Sequence, residues 1–233
     1  MDGSRGMLTS SIGKKLVAAV TGVLLIGFLL AHVAGNLQVF AGQDKLNAYA
    51  VTLRKLGPAL WALRLGLVAI AVVHVVVTLR IARENRAARG SDYAVVKPVQ
   101  SKATTRSMLL TGLMLLLFVL YHLMHFTWHT LHADFAGRLD GAGRPDVYSM
   151  LVGSFREPAI AWTYVAAMVL LGSHLAHGTS SFFQTMGWRH PRREKLLAAL
   201  GPLVGAVIAA AYVSMPLAVQ AGVVTLPPGV TFP

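Results

Sequence analysis

The sequence contains no cysteine. This excludes disulfides, thiolate-held iron–sulfur clusters and covalent c-type haem attachment within the chain, so any metal must be held by histidine or carboxylate. Acidic residues are also scarce, with 9 Asp and Glu against 21 Lys and Arg and a formal charge of +12. In a soluble protein that excess would suggest nucleic acid. Here the basic residues flank long apolar segments, so the positive-inside rule accounts for them and no nucleic-acid partner is expected. Only 13% of residues are charged and 55% are apolar. With a mean hydropathy of +0.60, these are membrane values. Residues 1–10 lack a small-residue cleavage site, so no removable signal peptide is expected.

A helix needs about 20 apolar residues to cross a bilayer core. Five segments qualify: Leu16–Phe40, Ala59–Ile81, Ser107–Leu131, Ala159–Phe182 and Leu196–Val219. No Asp or Glu falls inside them. Pro58 and Pro158 suit the first turns of the second and fourth helices. Arg83–Lys102 reads as a polar basic loop, and Ala133–Glu157, with Gly137, Gly141, Gly143 and Pro145, as an irregular loop with room for a short surface helix. Lys and Arg number 14 on the side of the amino terminus and 7 on the other, which places the amino terminus in the cytoplasm and the carboxyl terminus outside. The expected fold is all-α: five transmembrane helices in one domain over residues 1–225, four of them a bundle and the fifth beside it, then an irregular tail over 226–233. No internal repeat stands out.

Histidine carries the chemistry. Of nine histidines, His32 stands 17 residues after Lys15, while His74, His122 and His174 stand 16 after Pro58, Arg106 and Pro158. At about 1.5 Å per residue each lies roughly 24–26 Å along its span, past the midpoint. Because the helices alternate in direction, His32 and His122 fall in the outer half and His74 and His174 in the inner half, roughly 10–15 Å apart. A single intramembrane histidine commonly bonds a neighbouring helix or lines a cavity. Four at matching depth, one per helix, are hard to obtain by chance. They suit two stacked bis-histidine b haems, with imidazoles from facing helices. Small residues nearby (Ala31, Ala34, Gly35, Ala71, Gly172, Ser173, Gly178) suit either a porphyrin edge or ordinary close helix packing.

Other polar residues are weaker candidates. His125 and His129 follow His122 at helical spacing, with His132 beyond; they suit haem propionates, a quinone or a polar rim beside Trp128. His177 lies one turn beyond His174 and suits a propionate, a quinone or a hydrogen bond to a neighbouring helix. His190 falls in a basic loop. The basic residues Arg83, Arg86, Arg89, Arg189, Arg192 and Arg193 suit topology and lipid headgroups first, and docking of an acidic partner second.

Four stretches carry a family resemblance: SSIGKKLVAAVTG (Ser10–Gly22), HVAGNLQVFAGQDKLNAYAVTLR (His32–Arg54), YHLMHFTW (Tyr121–Trp128) and SHLAHGTSSFFQTMGW (Ser173–Trp188). Over residues 10–220 the chain resembles the cytochrome b membrane-anchor subunit of succinate:quinone oxidoreductases, of the single-anchor, five-helix, dihaem type. The resemblance implies haem ligands at His32 and His122 (distal) and at His74 and His174 (proximal). It also implies a flavoprotein and an iron–sulfur subunit as partners, and a bacterial cytoplasmic membrane. Electrons from succinate would pass through flavin, clusters and two b haems to a quinone, menaquinone in this type, linking the tricarboxylic acid cycle to respiratory electron transport. The chain would be the quinone-reactive subunit, without the dicarboxylate site, and assembly into a higher oligomer is compatible. Quinone candidates are Asn36, Gln38, His125 and His129 towards one side, and Ser10, Ser11, Lys14, His177, Ser181 and Gln184 towards the other. Some fumarate reductases of the family have a Glu two residues before the fourth-helix ligand; here that position is Gly172, which favours succinate oxidation over the reverse reaction. Alternative readings are the cytochrome b subunit of another quinone-linked dehydrogenase, and a haem-free anchor or transporter.

Overall fold

The computed structural model describes residues 10–88, 103–131, 133–188 and 190–230, with 103–106 as backbone only. His132, Arg189 and most of the basic loop expected before Lys102 lie outside the described residues, as do residues 1–9, where no removable signal peptide is expected. Among the described residues seven α-helices occur: α1 Ser11–Asn36, α2 Gln43–Arg54, α3 Pro58–Ala87, α4 Ala103–Phe126, α5 Val147–Arg156, α6 Pro158–Thr185 and α7 Glu194–Gln220. Among the described residues there is no strand, and α1, α3, α4, α6 and α7 are each long and apolar enough to cross a membrane. The chain is an all-α multi-pass membrane protein.

Local chemistry sets the helix ends. The Ser10 hydroxyl accepts the Gly13 N–H at 3.0 Å to cap α1, and Asp146 accepts the Ser149 N–H at 3.1 Å to cap α5. Pro58 and Pro158 stand in the first turns of α3 and α6, where a missing N–H costs nothing. Pro202 and Pro216 lie inside α7, which stays continuous through both. Two boundaries depart from the sequence expectation. Helix α3 continues to Ala87, so it includes Glu84, whose carboxylate pairs with Lys14 of α1; a membrane helix thus carries an acid at its end after all. Helix α4 stops at Phe126, where the Trp128 N–H turns back to the Leu123 carbonyl, and His129 takes a left-handed backbone with φ 54°.

The two short helices form a cap over one end of the bundle. Val39, Leu46, Tyr148, Leu151, Val152 and Phe155 bury their side chains there with Val219 and Val224. After α7 the described residues up to Val230 form turns and irregular chain, and Leu226 packs on this cluster. Asn47, wholly buried, ties α2 to the loop and helix α5. Its amide donates to Asp140 and Asp146, both at 3.0 Å, and its oxygen accepts the Tyr148 N–H. Arg144 bridges Asp140 and Asp44, each at 2.8 Å.

This cap is acid-labile by construction. Burial opposes ionisation of Asp140. Hydrogen bonds from the Arg144 N–H, the Asn47 amide, the Arg144 guanidinium and the Ala142 N–H outweigh it and bring its pKa from 3.8 down to about 2. Asp146 is lowered by a similar balance, burial opposed by bonds from Ser149, Asn47 and Gln43. Depressed carboxylates stabilise the fold fully above their unfolded pKa of about 4 and lose that contribution as pH falls through the folded value. Acidification from about pH 5 to pH 2 is therefore expected to raise amide hydrogen exchange in 43–54 and 140–156 before α6 and α7 respond. Unchanged exchange in the cap across that window would contradict the assignment.

Helices α6 and α7 pack most closely, through small residues. Gly201 and Gly205 of α7 face Gly172, Ala176 and Ser180 of α6, a small-xxx-small seam on both sides. A Cβ on Gly205 would stand 2.2 Å from the Gly172 carbonyl oxygen, and one on Gly172 would stand 2.9 Å from the Ala209 Cβ.

The structure also exposes a repeat that the sequence hides. Transmembrane helix, short helix, transmembrane helix (α1–α2–α3) is followed by the same plan in α4–α5–α6. Thr-Gly at 21–22 precedes His32 as Thr-Gly at 111–112 precedes His122, by 11 residues from each Thr. Pro58 precedes His74 as Pro158 precedes His174, by 16. Within each half the two long helices pack together, and α2 packs on α5 across the halves.

Candidate functional site: two histidine pairs in the bundle

The four deep histidines fall at equivalent positions of the two halves. His32 and His122, each four residues before the end of its helix, face one another with ring centroids 6.0 Å apart and planes at 87°. Two imidazoles on opposite sides of one metal ion, each with a metal–nitrogen bond of about 2.0 Å, place their centroids about 6 Å apart. His74 and His174 occupy the other pair of equivalent positions, on α3 and α6. Tyr164 sits at the level of His122, and His174 follows ten residues later on α6, so the two pairs are separated by about 15 Å along the bundle.

Three of the four rings have Nδ1 engaged by a hydroxyl. Thr21 lies 3.0 Å from Nδ1 of His74, and Thr111 lies 3.2 Å from Nδ1 of His174. Tyr164 lies 3.4 Å from Nδ1 of His122. Each arrangement leaves Nε2 as the nitrogen available to a ligand. His32 differs: the Asn36 amide donates to the His32 carbonyl at 2.8 Å and stands 3.4 Å from both ring nitrogens, while Phe28 stacks on the ring at 5.3 Å.

His125 has another role than the one expected. It is wholly buried rather than part of a polar rim, and both ring nitrogens are bonded within the protein. Ser154 donates its proton to the Met150 carbonyl at 2.8 Å, so its oxygen accepts from Nε2 of His125 at 3.0 Å. Nδ1 then accepts the Tyr164 O–H at 3.0 Å, and the Tyr164 oxygen is left to accept from His122. A quinone or propionate finds no free nitrogen on that ring. His129 stands in the loop after α4 and shares no helix face with His122.

The remaining candidates scatter. Ser11 is exposed and, with Lys15, Ile81, Glu84, Asn85 and Ala88, lines a cavity of about 240 Å³ at the end of the bundle opposite the cap. Lys14 is buried and committed to Glu84. His177 is half-buried on α6, with Ser181 and Gln184 exposed beyond it. Gln38 is half-buried in the 3-10 turn after α1. At Gly172 the Ala209 Cβ and the Gly205 carbonyl of α7 fill the space a side chain would need.

Among the described residues no group of three or more His, Cys, Asp or Glu side chains could hold a metal. Each pair would offer two imidazole nitrogens to a metal. That donor set fits a metal already held in a tetradentate macrocycle, as in bis-histidine haem, better than a bare ion. The chain matches no family model, no curated protein and no solved structure.

Proposed function

We propose that this chain is the dihaem cytochrome b anchor of a succinate:quinone oxidoreductase, passing electrons from an iron–sulfur subunit through two b haems to menaquinone. The observation that carries the haem reading is the pairing of equivalent histidines across the two halves, with Nε2 left available on three of the four rings. The word succinate rests on the resemblance of the four sequence stretches. His32 and His122 would hold one haem, His74 and His174 the other, and each haem supplies reversible one-electron storage in iron. The protein's own part is to fix ring orientation, to keep the sites dry within apolar helices, and to set their spacing.

In this reading the flavoprotein and iron–sulfur subunits dock at the end opposite the cap, in the cytoplasm of a bacterium, and the cap faces outward. The quinone contacts come from Asn36 and Gln38 near the His32–His122 pair, or from Ser11, His177, Ser181 and Gln184 at the far end. With α7 packed against Gly172, no carboxylate fits two residues before His174, which favours succinate oxidation over fumarate reduction.

Purification of the tagged chain from its native membrane tests this. A flavin-bearing and an iron–sulfur protein are expected to co-elute, and succinate to reduce both the b haem and added menaquinone analogue. A haem-bearing preparation reduced by formate or hydrogen but not by succinate would transfer the chain to another quinone-linked dehydrogenase.

A further inference from the structure

Two residues outside the candidate ligand set repeat the same contact in both halves. Thr21 on α1 meets His74 on α3, and Thr111 on α4 meets His174 on α6. The direction of each bond follows from where the threonine proton goes. Thr21 donates to the Val17 carbonyl at 2.7 Å, one turn back on its own helix, with Ala18 at 3.2 Å. Thr111 donates to the Met108 carbonyl at 3.1 Å. A hydroxyl has one proton. With that proton committed to the helix, each oxygen faces the imidazole as an acceptor, and Nδ1 of each histidine must carry the hydrogen. The neutral ring then has its lone pair on Nε2.

The glycine after each threonine completes the arrangement. A Cβ at Gly22 would stand 3.3 Å from Cε1 of His74, and one at Gly112 would stand 3.4 Å from Cε1 of His174. Each ring edge is thus laid against bare helix backbone while its Nδ1 reaches the adjoining hydroxyl. Thr-Gly is a two-residue seat for an imidazole from the neighbouring helix, used once per half.

We infer that Thr21 and Thr111 are positioning residues that lock His74 and His174 in the Nδ1–H tautomer and present Nε2 to the haem iron. This rests on the dihaem reading above. A hydrogen-bond acceptor behind a metal-bound imidazole fixes its orientation and raises its basicity, and loss of such a partner typically weakens metal binding about 10–100-fold.

The test uses the full chain in detergent, with the second haem as internal control. Thr21→Val removes the hydroxyl acceptor at nearly constant volume, leaving the Ala18 backbone near the His74 ring; Thr21→Ser keeps the hydroxyl. Thr21→Val is expected to weaken retention of one of the two haems about 10–100-fold, and to raise the potential of whatever remains there, because a less basic ligand stabilises ferric iron less. The other haem should keep its spectrum and potential, which certifies the fold, and Thr21→Ser should restore the first. Thr111→Val should affect the same haem as Thr21→Val. Two haems in Thr21→Val with unchanged potentials would overturn the inference while leaving the dihaem reading intact. So would failure of Thr21→Ser to restore the affected haem, or loss of different haems in the two valine variants. An unsubstituted chain without haem would overturn both.

Discussion

Substitution of either His74 or His174 by alanine is expected to remove one and the same haem, halving the haem yield per chain. Substitution of His32 or His122 should remove the other. His32 and His122 face one another, and His74 and His174 stand at the corresponding positions of the two halves, so each iron would draw one ligand from each half, His32 with His122 and His74 with His174. A site left with one imidazole and an open axial position retains haem poorly and changes from low-spin to a ligand-accessible form. The double variant His74→Ala/His174→Ala should look like either single one, with one haem left, whereas His32→Ala/His74→Ala should retain none stably. Loss of different haems in His74→Ala and His174→Ala would refute the pairing, whatever the total haem content.

The second large effect concerns α7, which provides no candidate ligand. Gly205→Leu would drive a side chain into the carbonyl of Gly172, where even a methyl carbon would stand at 2.2 Å. Backbone cannot move aside as a side-chain tip can, so the cost should be at or above the upper end of overpacking in cores, about 3 kcal/mol. The expected result is separation of α7 from α6, loss of the Tyr212 contact to the Leu29 carbonyl near His32, and a sharp fall in the denaturation midpoint of the detergent-solubilised chain. Leu203→Ala, on an exposed position of the same helix, should have little effect. Equal stability of Gly205→Leu and the parent chain would show that the seam is not close-packed.

Much of this architecture was legible before any coordinates. Five apolar segments give five long helices because nothing but a helix satisfies its backbone in lipid, and Pro58 and Pro158 mark starts because proline is harmless only there. The place of each histidine along its helix followed from counting residues from Lys15, Pro58, Arg106 and Pro158. What escaped was set by contacts between distant residues. Helix α2 is short and polar enough to pass unnoticed, and α5 was expected only as a short helix in an irregular loop; the two are joined because Asn47, Asp140 and Asp146 bond across about a hundred residues. Lys14 looked like a quinone contact until Glu84, 70 residues away, claimed it. His129 had the right spacing, but α4 ends before it. The repeat was hidden because only Thr-Gly, Pro and His keep register, while the apolar residues between them are interchangeable in lipid. Thr-Gly 11 residues before a deep histidine, occurring twice, was the available signal.

The most direct test of the account is the haem content of the purified chain. A dithionite-reduced spectrum should show a b-type alpha band, and the pyridine haemochrome should give two non-covalent haems per polypeptide. No haem, or one that binds equally well when all four of His32, His74, His122 and His174 are replaced by alanine, would contradict it.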